Sequence, residues 1–269
     1  MQRQGATAAI RPSRLTAGLI VLLLASSPAV AEEGFSHDDW TAVLQRFVDD
    51  RGLVDYRGLA ADRSVFDRYL QAIESCSPSS HPQRFPTRED RLAYYLNAYN
   101  AQVFNGVLAR GPEEVSVWSG LISGLSFFVR MKIELGGESM SLKYLEDELI
   151  RDQFRDPRVH AALNCASISC PRLPRRAFDP RRLDAELDAA MREFVEARRN
   201  CAVDDRTRTV RLSKIFDWFA SDFLGYERSE GNARPRILDY VNRYRDPDAQ
   251  VPTDYKVEYL AYDKGINKQ

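Results

Sequence analysis

The sequence predicts an α+β fold: a single helix-dominated domain with a small antiparallel sheet or hairpins, behind a cleaved signal peptide. Apolar residues recur at i, i+3, i+4, i+7 in one window after another. Alternating strand patterns are confined to short runs beside turn residues. The first residues have the makeup of an export leader. With 269 residues, 44% hydrophobic and 29% charged, 14 Gly and 13 Pro, the composition excludes collagen-like, low-complexity and disordered classes.

The elements follow in order. Residues 1–31 read as the leader: a basic start, the apolar run Leu15 to Ala25, then Ser26, Ser27 and Pro28 before the small-x-small site Ala29-Val30-Ala31. That run is shorter than the roughly 18 residues that span a bilayer as a helix, and no later stretch spans either. The mature protein, residues 32–269, is expected to be periplasmic or secreted, with no membrane span. Ser36 to Asp39 starts a helix carrying Trp40, Val43, Leu44 and Phe47, and a second carries Phe66, Tyr69, Leu70 and Ile73. A serine- and proline-rich loop with Cys76 and His81 leads to Thr87, which caps a third helix with Asp90 completing the box. Its stripe is Leu92, Tyr95, Leu96, Tyr99 and Val103. Asn97 and Asn100 flank this stripe, and because Asn is a poor helix-interior residue they point either to buried hydrogen bonds or to a solvent-facing flank.

After a Gly/Ser loop around Ser119 to Gly124, Phe127 to Leu135 reads as a strand, with Gly136-Gly137 as a hairpin turn. Ser141 caps a short helix with Leu142, Leu145 and Leu149. Asp179-Pro180 opens a helix with Leu183, Leu187, Met191 and Phe194. Val203 and Thr209 to Leu212 flank a hairpin, Ser213 starts a helix with Ile215, Phe216, Phe219 and Phe223 stopped by Gly225, and a last helix carries Ile237, Leu238, Val241 and Tyr244. Val257, Tyr259 and Ala261 alternate like an edge strand.

Lys plus Arg is 38 and Asp plus Glu 39, a formal charge of -1. Removal of the leader, which holds Arg3, Arg11 and Arg14 but no acid, makes the chain more acidic. No polybasic patch is implied, so nucleic acid is not an expected partner. The chain has no P-loop and no dinucleotide fingerprint, and no cofactor is expected.

Reactive side chains concentrate between His160 and Cys170, with Asn164, Cys165, Ser167 and Ser169 among them. A thiol becomes a nucleophile where an imidazole or backbone amides favour the thiolate. If the run from Val159 to Cys165 is extended, His160 and Cys165 face opposite sides, so pairing them needs a bend. Four readings stay open: a Cys165–Cys170 disulfide suited to an oxidising compartment, a Cys165 nucleophile with His160, metal binding by His160, Cys165 and Cys170, and ordinary core packing. Glu146, Asp147 and Glu148 beside Arg151 read as a solvated charged face, and His37 and His81 as exposed.

Several motifs form a recognisable set: Tyr95-Leu-Asn-Ala-Tyr-Asn-Ala101, Leu142-Lys-Tyr-Leu-Glu146, the block from Asp156 to Pro171, Leu212-Ser-Lys-Ile-Phe-Asp-Trp218, and Val257-Glu-Tyr-Leu-Ala-Tyr-Asp263. Together they resemble the family called domain of unknown function 547, over nearly all of the mature chain with a core at about 88–244, and suggest an exported bacterial member. The resemblance transfers no activity. It implies which residues matter: Asn97, Tyr99, Asn100, Glu146, His160, Asn164, Cys165, Ser169, Cys170, Lys214 and Trp218. Some eukaryotic relatives look like fusions with a glutaredoxin domain, which points toward thiol chemistry. Asp147 stands where the family is expected to have His, which weakens any mechanism using a histidine there.

The leading expectation is an exported thiol-dependent hydrolase or acyltransferase. Cys165 would be its nucleophile and His160 its base, with Asn97, Asn100 or Glu146 orienting the imidazole or stabilising developing charge. The alternative is a non-catalytic periplasmic binding or accessory protein whose loop is fixed by a Cys165–Cys170 disulfide and meets a small-molecule, peptide or protein ligand. A third reading is a thiol–disulfide exchanger, although C-x4-C lacks the compact spacing usual for that task.

Overall fold

Helix α4 (Arg88–Arg110) is buried almost all round from Leu92 to Val107, so the rest of the chain must wrap it. The computed structural model describes residues 34–111, 116–117 and 125–269, together with Gln2 and Gly5. The expected leader and the Gly/Ser loop at Ser119 to Gly124 lie outside the described residues. Among the described residues, no helix is long and apolar enough to cross a membrane.

The capping box starts α4 as the sequence predicts: Thr87 Oγ1 accepts from the Asp90 N–H at 3.0 Å and the Asp90 carboxylate accepts from the Thr87 N–H at 3.0 Å. Against α4 pack α1 (Asp38–Phe47) and α3 (Ser64–Ser75), whose stripes interlock through Trp40, Phe66, Tyr69 and Phe104. Between them lies α2 (Tyr56–Ala61), a helix the sequence pattern did not reveal, started by the Asp55 carboxylate accepting from the Gly58 N–H at 2.8 Å.

Phe127 to Leu135 is only partly a strand. Leu125–Arg130 forms helix α5, and β1 (Lys132–Leu135) pairs antiparallel with β2 (Glu138–Ser141) across Gly136 and Gly137, both at positive φ. Phe127 and Phe128 are adjacent and both buried, which a half-exposed strand does not allow. Gly106 of α4 makes room for the Phe127 ring, which lies 2.6 Å from where a Cβ would stand.

Ser141 caps α6 (Leu142–Tyr144), which widens into a π-helical segment, Leu145–Asp152. After a 3₁₀ turn at Pro157–Ala161, α7 (Leu183–Glu196) leads to β3 (Cys201–Asp204), β4 (Thr209–Leu212), α8 (Lys214–Trp218), α9 (Ala220–Ser229), α10 (Ile237–Arg243) and β5 (Lys256–Tyr259). β3 and β4 form the expected hairpin, but β5 joins β4 in parallel, so the three-stranded sheet is mixed. The fold is α+β and helix-dominated. The chain does not stop at Gly225: the break falls at Phe219, and α9 runs through the glycine.

The buried residues form two clusters. One surrounds α4; the other gathers Met191, Phe194, Phe216, Phe223, Tyr240 and Val241. Leu163 belongs to the first and Ala161 to the second, so the segment after Asp156 runs along their seam.

His37 is half-buried, not exposed: its ring packs on Phe35, its Nδ1 lies 2.8 Å from Tyr69 Oη, and burial lowers its pKa to about 4. His81 is also half-buried, beside Ser80 Oγ at 2.9 Å.

Asn97 is buried and used entirely on the backbone of Phe178: its Nδ2 donates to the carbonyl at 3.0 Å and its Oδ1 accepts from the N–H at 3.0 Å. The Asn97→Ala variant leaves both backbone groups buried and unpaired, and should lose roughly 2–4 kcal/mol of unfolding free energy in urea titration.

Candidate active site

The run from Val159 to Cys165 is not extended, so the opposite-face objection does not apply. Asp156 caps the turn by accepting from the Arg158 N–H at 3.1 Å, Pro157 occupies its first position, and the chain then bends at Ala162. His160 and Cys165 both reach one cavity of about 300 Å³, lined also by Tyr99, Glu146, Arg151, Cys170, Trp218 and Tyr262.

Amide side chains hold the bend. Asn100 Nδ2 donates to the Ala162 carbonyl at 3.0 Å, and its Oδ1 accepts from the Asn164 N–H at 2.9 Å. Asn164 Oδ1 in turn accepts from the Ala166 N–H at 2.8 Å, while its Nδ2 donates to the Pro171 carbonyl at 2.8 Å. The C-terminal segment closes the loop from outside, with the Ile168 N–H donating to the Gly265 carbonyl and the Asn267 N–H to the Ala166 carbonyl. Within this frame Ala166 has φ +62°, a left-handed conformation unfavourable for a residue with a Cβ, and it immediately follows Cys165.

Both cysteines are free thiols, and the expected disulfide is not formed. The loop is fixed by the asparagines instead. The two sulfurs lie 2.8 Å apart; Tyr262 Oη stands 3.3 Å from Cys165 Sγ and 3.2 Å from Cys170 Sγ, and the Cys165 N–H donates to Cys170 Sγ at 3.1 Å. Donation from the Cys170 thiol lowers the Cys165 pKa to about 7 against the opposing effect of burial, helped by the Tyr262 and Ser167 hydroxyls. Burial, and then the neighbouring Cys165, push Cys170 up. Cys165 is the partly accessible member and Cys170 the buried one.

His160 is buried, and its Nε2 lies 2.8 Å from Asp222 Oδ2, a partner the sequence did not suggest. Arg151 donates to the same carboxylate through Nε at 2.8 Å and through a terminal nitrogen at 3.1 Å. Burial opposes ionisation of Asp222, but hydrogen bonds from His160 and Arg151 hold it below the usual carboxylate range. An ionised carboxylate only accepts, so His160 Nε2 carries the proton and Nδ1 keeps the lone pair. Burial lowers the His160 pKa and keeps the imidazole neutral. Its ring stacks on Phe219 with centroids 4.0 Å apart. His160 makes no hydrogen bond to Cys165, and it is Asp222, not Asn97 or Asn100, that orients the imidazole.

The facing wall is the π-helical segment, an irregularity frequent at functional sites. Glu146, Asp147 and Arg151 line the cavity rather than forming a solvated face. Tyr99 Oη donates to Glu146 Oε2 at 2.9 Å, and burial raises the Glu146 pKa despite that bond. Asp147 pairs with both Lys143 and Arg151. Trp218 stands at the mouth, 43% exposed and 4.7 Å from the Tyr262 ring.

Among the described residues, no group of three or more His, Cys, Asp or Glu side chains is placed to hold a metal ion. Lys214 pairs with Asp217 away from the cavity, and Ser169 Oγ accepts from the Asp263 N–H. Neither lines the cavity.

Residues 82–195 match the family model described as "Protein of unknown function, DUF547". The match is narrower than the motif resemblance, which reaches Asp263. The DUF547 segment supplies Tyr99, Glu146, Arg151, His160 and both thiols, whereas Trp218, Phe219, Asp222 and Tyr262 come from beyond it. No curated protein and no solved structure matches the chain. Asp222 lies between Phe219 and Phe223 in the first turn of α9, and Tyr262 lies within the closing motif. Those positions are the only sequence signals for either residue.

Alkylation of Cys165 followed against pH should be half-maximal near pH 7 and fall below it, because only the thiolate reacts. In Cys170→Ala the main donor is lost, so the midpoint should move up toward the ordinary thiol range and labelling at pH 7 should slow. An unmoved midpoint means that donation from the Cys170 thiol does not stabilise the Cys165 thiolate.

Proposed function

We propose that the protein is a cysteine-dependent enzyme of hydrolase or acyltransferase type, with Cys165 as the nucleophile. The observation that carries this reading is the accessible, low-pKa Cys165 thiol in a cavity that also holds an imidazole oriented by a carboxylate. That is the nucleophile, base and orienting group of thiol catalysis on other folds, recognised by roles rather than spacing. The Cys165 thiolate attacks a substrate carbonyl, and the tetrahedral adduct breaks the bond to the alcohol or amine portion of the substrate, which leaves with a proton from solvent, so that a thioester remains on Cys165. His160, neutral and with Nδ1 unprotonated, activates the water or second substrate that releases the acyl group. Tyr262 donates beside the reacting sulfur, and Glu146, protonated more readily than an ordinary carboxyl, lies on the facing wall. Export of the protein is part of the proposal and rests on the leader pattern alone.

A second reading is favoured by one observation, the 2.8 Å approach of the two sulfurs. In thiol–disulfide exchange the Cys165 thiolate attacks a substrate disulfide and expels one thiolate. Cys170 then attacks Cys165 Sγ and releases the other, leaving an oxidised pair that an external dithiol must reduce.

The test is incubation of the leaderless protein with p-nitrophenyl acetate and, separately, with a small aromatic disulfide, with adducts located by mass spectrometry. Acyl transfer expects a covalent acetyl group on Cys165, turnover lowered roughly 10²–10⁴-fold in His160→Gln and Asp222→Asn, and activity retained in Cys170→Ser above pH 9. Exchange expects Cys170→Ser to arrest at the mixed disulfide. Equal labelling of Cys76, Cys201 and Cys165 would sink both readings.

A further inference from the structure

The larger cavity, of about 740 Å³, is a trench on the other side of the thiol segment, whose Pro171 lines both cavities. One wall is a single face of α7, with Arg182, Glu186, Ala190, Glu193 and Ala197 at steps of three or four residues. The trench therefore runs the length of a 14-residue helix, about 21 Å at the usual helical rise. The other wall is the segment 171–178, which belongs to no helix or strand. From Arg172 to Arg176 no backbone N–H or C=O makes a hydrogen bond within the described structure. Ala177, Phe178 and Phe194 add to an apolar floor.

Charge is distributed unevenly around this floor. Six arginines line it (Arg51, Arg172, Arg175, Arg176, Arg182 and Arg199) against two acids. Both acids are engaged: Glu193 with Arg172, and Glu186 with Arg182 at 2.9 Å. Arg175 reaches Asp50 at 2.9 Å and Arg51 reaches Asp49. Arg176 and Arg199 are exposed and, among the described residues, have no carboxylate partner; Arg199 donates to the Ile168 carbonyl at 3.4 Å. The near-zero net charge of the chain hides this local excess.

We propose that the trench binds an extended, acidic segment of a partner polypeptide. The backbone groups of Arg172, Arg175 and Arg176 and the carbonyl of Pro174, which make no hydrogen bond among the described residues, suit main-chain pairing with an extended peptide. Six extended residues cover about 20 Å, close to the helix length. Carboxylates on the segment meet Arg176 and Arg199, and alanines of the lining, Ala177, Ala189, Ala190 and Ala197, leave room for alternate residues. The site is independent of the thiol chemistry proposed above.

The test uses the full chain and a fluorescein-labelled hexapeptide alternating Glu and Ala, read by fluorescence anisotropy at low salt, with a Gln-for-Glu peptide as the control. The expected result is saturable binding that weakens about tenfold for the Gln peptide and about tenfold in Arg176→Glu/Arg199→Glu, whose circular dichroism should match the parent because both side chains are exposed. N-methylation of alternate peptide amides should weaken binding as well. Absence of saturable binding, equal affinity for the Gln peptide, or indifference to the double substitution would overturn the proposal. So would displacement by inorganic polyphosphate at lower concentration than by unlabelled peptide, since that marks a general polyanion site.

Discussion

Asn164 uses both ends of its amide on its own loop, accepting from the Ala166 N–H and donating to the Pro171 carbonyl, while Asn100 holds the Ala162 carbonyl and the Asn164 N–H. These bonds fix the curvature between His160 and Cys170. Without that curvature the imidazole and the thiols do not share a cavity, and Ala166 has no reason to sit in a left-handed conformation. Buried amides of this kind are stabilising only when every donor and acceptor is matched. Here each amide nitrogen and oxygen has a backbone partner, and Asn164 Oδ1 accepts from Asn267 Nδ2 as well, which holds the loop without a covalent bridge.

The loop lies on the seam between two apolar clusters, and this placement explains how the cavity is furnished. From the first cluster come Tyr99 on the central helix and Glu146 on the π-helical segment, with Phe128 beside them. From the second come Phe219 and Tyr262. Asp222, immediately before the buried Phe223, brings its carboxylate to His160 and Arg151 from the same side. A seam leaves room for polar groups that a continuous core would exclude, and the polar groups found there are paired: Arg151 with Asp147 and Asp222, Tyr99 with Glu146, and the thiols with each other and with Tyr262. Burial then sets the protonation states, raising Glu146 and Cys170 and lowering His160, while direct donation to Cys165 works the other way.

The same segment divides the two cavities. His160 and Cys170 face one, Ala161 and Arg172 the other, and Pro171 touches both. One cavity is small, and its polar groups converge on a thiol. The other is long, floored with alanine and phenylalanine side chains and rimmed by guanidinium groups.

The sequence by itself determined the helices with a clean 3.6-residue stripe, their caps at Thr87, Ser141 and Asp179, the hairpin at Gly136-Gly137 and the reactive block from His160 to Cys170, because each is written in local spacing. Local pattern failed where two signals competed: Phe127 and Phe128 read as strand but form helix α5, and Gly225 reads as a stop but is passed by α9. It also marked Asn97 and Asn100 as unusual without giving their task, since their partners Phe178, Ala162 and Asn164 lie more than sixty residues away. Only the tertiary structure decided that Asp222 orients His160, that Tyr262 stands over both sulfurs, that Glu146 faces a cavity instead of solvent, and that arginines scattered from Arg51 to Arg199 share one trench. These are contacts between distant segments, and no periodicity or spacing within a single stretch of chain records them.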